Sequence, residues 1–245
     1  MIFPFRSRRV LPLIGMFSSM LILLMQDANP VRGDFISPSG LANGAEYRLI
    51  FVTADARNAT SGSIAYYNDF VSEQAGLNKA LPPGLTWRAI ASTSAIDAKV
   101  NVGTESDIPI YDTQGRLIAE ETSDLWNGLA IENAIDYDQF GMPVDDSMVW
   151  TGSDWNGTRI YINGSLYGPL GYSSDSTIFG SLGSKYKNRK WLYRGTLADS
   201  SEEHGFYALS STITVAIVVP EPGTWILFGV GGLCMAAFSR LRRRR

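Results

Sequence analysis

Arginine-flanked apolar segments stand at both ends of this 245-residue chain, and only the stretch between them is left to fold in water. At the start, Arg6, Arg8 and Arg9 precede an apolar run from Val10 to Met25, the pattern of a secretory signal. Val31-Arg32-Gly33 offers small residues for cleavage before Asp34, so residues 1–33 are predicted to be a signal peptide, handled by the secretion machinery and signal peptidase. An uncleaved signal anchor is the alternative. At the other end, Val219-Pro220-Glu221-Pro222-Gly223-Thr224 leads into an apolar run from Trp225 to Phe238, then Arg240 and Arg242, Arg243, Arg244 and Arg245. Pro220 and Pro222 have no backbone donor and hold Glu221 in extended, exposed chain that a processing enzyme can grip. As a helix, Thr224 to Ser239 rises roughly 24 Å against about 30 Å for a bilayer's hydrocarbon core, so it spans with local thinning or with its arginines snorkelling. Each arginine favours an anionic cytoplasmic leaflet by about 1 kcal/mol, and arginines at both ends place the middle of the chain on the opposite side.

The tail from Val219 to Arg245 resembles the PEP-CTERM sorting signal of Gram-negative bacteria that make exopolysaccharide. The Pro-Glu-Pro triplet, an apolar helix carrying Gly229, Gly231 and Gly232, and the terminal arginines occur in the family's order and spacing. The resemblance implies that an exosortase, an integral-membrane enzyme with a cysteine nucleophile, recognises Pro220 to Pro222 and removes the tail. It further implies a membrane-anchored intermediate after export across the inner membrane, then delivery to the envelope, the outer surface or the extracellular matrix. A permanent tail anchor with a proline-rich hinge is the alternative.

The remaining span, 34–219, is long enough for one domain with a sizeable core. It carries twelve Lys and Arg against twenty-two Asp and Glu, a net charge near -10, because the targeting segments hold most of the arginines. Such a surface is unsuited to nucleic acid, whose phosphates demand a basic face. The one cysteine, Cys234, lies in the apolar tail, so the domain is predicted to be stable without disulfides.

Local pattern predicts strands at Glu46 to Thr53 and Leu85 to Ser92, separated by a helix in which Ile64, Tyr67, Phe70, Val71 and Ala75 recur at helical spacing behind a Thr60 or Ser61 cap. A helical turn is expected from Ala95 to Lys99. Ile108 to Tyr111 and Arg116 to Ala119 read as a hairpin turned at Asp112 to Gly115, followed by a capped helical turn at Ser123 to Trp126. Met148 to Trp150 reads as a strand entering the turn Gly152 to Thr158, Ile160 to Thr177 as a long polar and aromatic loop, and Phe206 to Leu209 with Thr212 to Val219 as closing strands.

The Ile-Pro-Ile strand, the Asp124-Leu125-Trp126 turn and the segment Val149-Trp150-Thr151-Gly152-Ser153-Asp154-Trp155-Asn156-Gly157 resemble the endostatin domain of collagens, a variant of the C-type-lectin-like fold. The resemblance covers about Trp87 to Arg159 and implies an α+β class with one C-type-lectin-like domain over 34–219, followed by the sorting signal at 220–245. It also implies that the first and last strands pair. Endostatin's cysteine pairs, zinc-binding histidines and basic heparin surface have no counterparts, so only fold carries over.

The one basic cluster of the domain, Lys185, Lys187, Arg189 and Lys190 with Tyr186 and Trp191, is the candidate ligand site. Its reading is contact with an anionic polysaccharide, both aromatic rings stacking on sugars. His204, the only histidine, has no nucleophile-elbow glycines nearby and reads as a surface residue. One histidine and no domain cysteine do not make a zinc site. No cofactor is expected. Calcium is the alternative, through Asp145, Asp146 and Asp154 with Asp136 and Asp138 nearby, although neither EF-hand spacing nor the Glu-Pro-Asn or Gln-Pro-Asp triplets of sugar-binding lectins occurs. No carboxylate pair is singled out by spacing, so the expectation is a non-enzymatic binding protein, with an envelope glycan hydrolase as the rival.

Overall fold

The computed structural model describes residues 35–103, 107–145, 148–172, 176–180, 187–195 and 197–216, with the backbone alone over 176–180. All lie in the second of the two units, Met1–Arg32 and Gly33–Arg245, into which the chain divides. The signal segment and the tail from Val219 to Arg245 fall outside the described residues, as do Lys185, Tyr186 and Asp146.

Eleven strands and two helices are described, an α+β arrangement rich in sheet. In chain order they are β1 Glu46–Val52, α1 Ile64–Leu77, β2 Trp87–Ala89, α2 Ala98–Val102, β3 Ile110–Asp112, β4 Leu117–Ala119, β5 Val149–Trp150, β6 Ile160–Ile162, β7 Ser165–Tyr167, β8 Ser176–Gly180, β9 Leu197–Asp199, β10 Gly205–Ser210 and β11 Ile213–Thr214. The main path runs β4-β3-β1-β10-β5-β8-β9, with β2 also on β10 and β11 also on β1. β6 and β7 form a separate hairpin.

β1 and β10 occupy the centre. They pair antiparallel, Ile50 opposite Leu209 and Val52 opposite Tyr207, so the first strand and a closing strand meet. β3 joins β1 in parallel and β5 joins β10 in parallel. A strand covered on both faces reads as a nearly continuous apolar run, which explains Leu-Ile-Phe-Val in β1 and Phe-Tyr-Ala-Leu in β10. Alternation then sorts their side chains into two cores. Leu49, Phe51, Phe206 and Ala208 pack with Tyr67, Phe70 and Val71 of α1. Ile50, Val52, Tyr207 and Leu209 pack on the other face with Val102, Ile118, Leu125 and Trp191.

Several expected boundaries shift for identifiable reasons. α1 begins after Ser63, since the Ser61 hydroxyl is already accepting the Ser63 amide in a local turn. β2 is three residues long because only those residues lie opposite β10, although Ile90 and Ser92 still donate to Tyr207 and Thr151. The second helix starts at Ala98 rather than Ala95, behind Asp97. The turn before Trp126 is a 3₁₀ helix, Thr122–Trp126, whose cap is Glu121, with the Asp124 carboxylate receiving the Glu121 amide at 3.2 Å. The segment 160–177, expected to be loop, contains a hairpin. Asn163 and Gly164 both have positive φ, 51° and 80°, the signature of a tight two-residue hairpin turn.

Candidate functional site

Trp191 is 2 % exposed and faces the core rather than solvent. Its ring meets Tyr207 edge-on at 5.4 Å and lies 6.5 Å from that of Trp126. The expectation that Trp191 stacks on sugar is therefore corrected: the 3₁₀ turn Arg189–Trp191, capped by Asn188 accepting from the Lys190 amide at 3.0 Å, turns the indole inward and leaves Arg189 and Lys190 exposed. Lys187 serves the scaffold as well, its ammonium donating to the Glu132 carbonyl at 2.8 Å while its own carbonyl accepts from Ile131 at 2.7 Å.

Tyr193, two residues after Trp191, is half-buried. Burial first, then the neighbouring Asp154 and Tyr167, push its phenol up, and Arg189 pulls the other way. Asp154, Tyr167 and Arg189 each lie within electrostatic reach of Tyr193. Tyr167 shares a hairpin face with Ile160 and Ile162, because Ile160 is its cross-strand partner and alternate residues share a face. Ile160 is buried and anchors the hairpin, while Tyr167 and Ile162 are exposed. Asp154 stands in a rigid turn: its Oδ1 accepts from the Trp155 amide at 2.7 Å, and its amide donates to the Thr158 carbonyl at 2.8 Å. Tyrosine rings, a carboxylate and a guanidinium are groups that can stack on a sugar ring and bond its hydroxyls. Tyr167 lies in a segment whose aromatic content was legible; Tyr193 had no local signal.

Among the described acidic residues weighed for calcium, Asp136, Asp138 and Asp154 are already engaged within the fold. Asp136 pairs with Arg116, which also holds Asp112 at 2.6 Å. Asp138 accepts from the Phe140 and Met142 amides at 2.8 and 2.9 Å, closing its own turn. Asp145 is exposed. Among the described residues no group of three or more His, Cys, Asp or Glu side chains is arranged to hold a metal ion.

His204 is half-buried. Its side chain is 14 % exposed, its ring meets Trp150 edge-on at 5.0 Å, and Nε2 lies 3.2 Å from the Glu202 carboxylate. Trp150 in turn donates from Nε1 to the Glu202 carbonyl at 3.2 Å. The ring is a packing element of the β5–β10 junction, which Glu-Glu-His-Gly alone did not indicate.

Among the described residues no helix is long and apolar enough to cross a membrane. Beyond them, residues 218–245 match the family of the PEP-CTERM protein-sorting motif. That motif implies exosortase-dependent sorting, with exosortase as the processing partner: the chain is exported, passes through a membrane-anchored intermediate and reaches the cell surface. No curated protein matches the chain.

Proposed function

We propose that the exported domain is C-type-lectin-like and binds polysaccharide of the surface or extracellular matrix without chemical turnover, through the face formed by Asp154, Tyr167, Arg189 and Tyr193. The observation that carries this reading is that Asp154, Tyr167 and Arg189, from the turn after β5, from β7 and from the 3₁₀ turn, each come within electrostatic reach of Tyr193. The antiparallel pairing of β1 with β10 supports the lectin-like assignment, since such domains bring their ends together. Sorting to the surface puts the face where extracellular polysaccharide is found. This reading needs no calcium.

The test uses the full-length chain in a non-ionic, non-glycosidic detergent and exopolysaccharide from the producing cell, followed by affinity electrophoresis and a reducing-end assay. Retardation that weakens in Tyr167→Ala and Arg189→Ala supports the reading. Retardation unchanged in both variants places binding elsewhere, and steady release of reducing ends makes the protein a hydrolase instead.

A further inference from the structure

Asn-Gly occurs at 43–44, 127–128, 156–157 and 163–164. A glycine after asparagine leaves its amide nitrogen unscreened by a Cβ, so that nitrogen can reach the asparagine's carboxamide carbon and close a five-membered ring. Three of the four pairs are held against this. The Gly44 amide donates to the Val215 carbonyl at 3.0 Å. The Asn127 carboxamide is fixed on both sides, Nδ2 donating to Asp124 at 3.1 Å and Oδ1 accepting from the Leu129 amide at 2.8 Å. Asn156 Oδ1 accepts from the Thr158 amide and hydroxyl at 3.1 and 2.6 Å, and the Gly157 amide donates to the Asp154 carbonyl at 3.0 Å. Asn163 and Gly164 are both exposed, and among the described residues neither the Asn163 carboxamide nor the Gly164 amide is hydrogen-bonded.

Backbone conformation points the same way. Ring closure needs Cβ of the asparagine and the next nitrogen eclipsed about the Cα–C bond, which is a ψ of about -120°, the value a type II′ turn has at its first central residue. Asn163 is the one described non-glycine residue with positive φ, 51°, so it already holds the φ that such a turn requires. Type I′ and type II′ both close two-residue hairpins, and they differ by a flip of the central peptide alone. Gly164 tolerates either sign of φ, and a Cβ placed on it would meet nothing within 4 Å.

We propose that Asn163 is a self-modification site, converted to aspartate and isoaspartate through a cyclic imide with Gly164. The Gly164 nitrogen gives up its proton and bonds to Asn163 Cγ, the Cγ–Nδ2 bond breaks, and ammonia leaves with that proton. Water then opens the imide. Attack at Cγ gives aspartate, and attack at the main-chain carbonyl gives isoaspartate, with no change of oxidation state in either branch. Aspartate puts a negative charge at the hairpin tip. Isoaspartate adds a methylene to the main chain between Ile162 and Ser165, which face each other across the turn, and so ends the two-residue loop of the hairpin that carries Tyr167. The site requires nothing of the polysaccharide reading.

The test keeps the full-length chain folded in non-ionic detergent at mildly alkaline pH, beside a sample in urea. Both are digested over time, and mass spectrometry with electron-transfer fragmentation quantifies aspartate and isoaspartate in the four Asn-Gly peptides. In the folded protein the 163–164 peptide should convert faster than each of the others by about tenfold or more, the factor that one or two hydrogen bonds give. In urea the four rates should converge. Asn163→Gln, whose longer side chain would need a six-membered ring, should abolish conversion there and leave the other three peptides unchanged. Another pair converting as fast in the folded protein, or the same ranking with and without urea, overturns the site. Aspartate formed without isoaspartate overturns the ring step.

Discussion

Trp126 lies against Gly157: a Cβ placed on that glycine would strike the six-membered ring of the indole. The reverse contact exists too, since a Cβ on Gly128 would approach the Trp155 ring to 2.6 Å. Two Trp-Asn-Gly segments, 126–128 and 155–157, therefore clasp each other, each indole seated on the other's glycine. Both glycines have positive φ, 74° and 73°. Gly157→Ala and Gly128→Ala are each expected to lower stability by about 2–4 kcal/mol, the sum of a left-handed backbone penalty and overpacking. Gly164, at φ 80° with nothing within 4 Å, is the control and should lose only about 1–2 kcal/mol on the same change. Equal urea midpoints for Gly157→Ala and Gly164→Ala would remove the packing argument.

Trp191 and Tyr167 should separate stability from binding. Trp191→Ala empties a core position and is expected to destabilise by about 3–5 kcal/mol. Tyr167→Ala, at an exposed hairpin position, should stay within about 0.5 kcal/mol while weakening polysaccharide binding. Thermal melts beside affinity electrophoresis check both, and a stable Trp191→Ala protein would contradict the inward placement of the indole.

Arg116 neutralises Asp112, which is fully buried on β3, and its guanidinium also lies 4.3 Å from the Tyr137 ring centre. Arg116→Met leaves that carboxylate uncompensated and is expected to lower stability by about 3–5 kcal/mol. Adding Asp112→Asn should recover part of the loss, because the stranded charge is gone. If the double variant is less stable than Arg116→Met alone, the ion pair is not the cause.

Asp138 predicts an unusual pH response. Burial pushes its carboxyl up against the opposing pull of the Phe140 and Met142 amides. A raised folded value means the protonated form favours folding, so this contribution is fully present below the unfolded value of about 4 and is lost as pH rises through the folded value. Asp138→Asn retains an acceptor for both amides and carries no charge. Its melting temperature should exceed that of the parent at pH 7, with the difference shrinking below about pH 4. A difference that grows on acidification would reverse the sign assigned here.

The sorting motif predicts a mass change. Protein recovered from envelopes with active exosortase should lack Trp225 to Arg245, and the full tail should persist when exosortase is absent. Pro220→Ala combined with Pro222→Ala, which frees the backbone around Glu221, should also retain the tail. Intact-mass measurement reads both, and identical full-length masses in every strain would make the tail a permanent anchor.

Much of the scaffold was readable locally. Leu49 to Val52, the 3.6-residue spacing from Ile64 to Ala75 and the β3–β4 hairpin each carry their periodicity within a few residues. The motif at 218–245 is legible for a different reason: a processing enzyme reads it as a short linear segment, so its information is entirely in sequence order. The Asn163-Gly164 turn was visible as turn chemistry, but three-residue strands on either side are too short to establish a period.

What sequence determined by itself is thus the targeting, the acidic cysteine-free domain between the ends, and the elements whose burial pattern repeats locally. Tertiary structure alone decided which way Trp191 faces, because its partners Trp126 and Tyr207 come from distant segments. It alone set His204 against Trp150 and brought Asp154, Tyr167 and Arg189 within electrostatic reach of Tyr193. A residue's type states what it can bond or bury; only strand register and packing state which neighbour it meets.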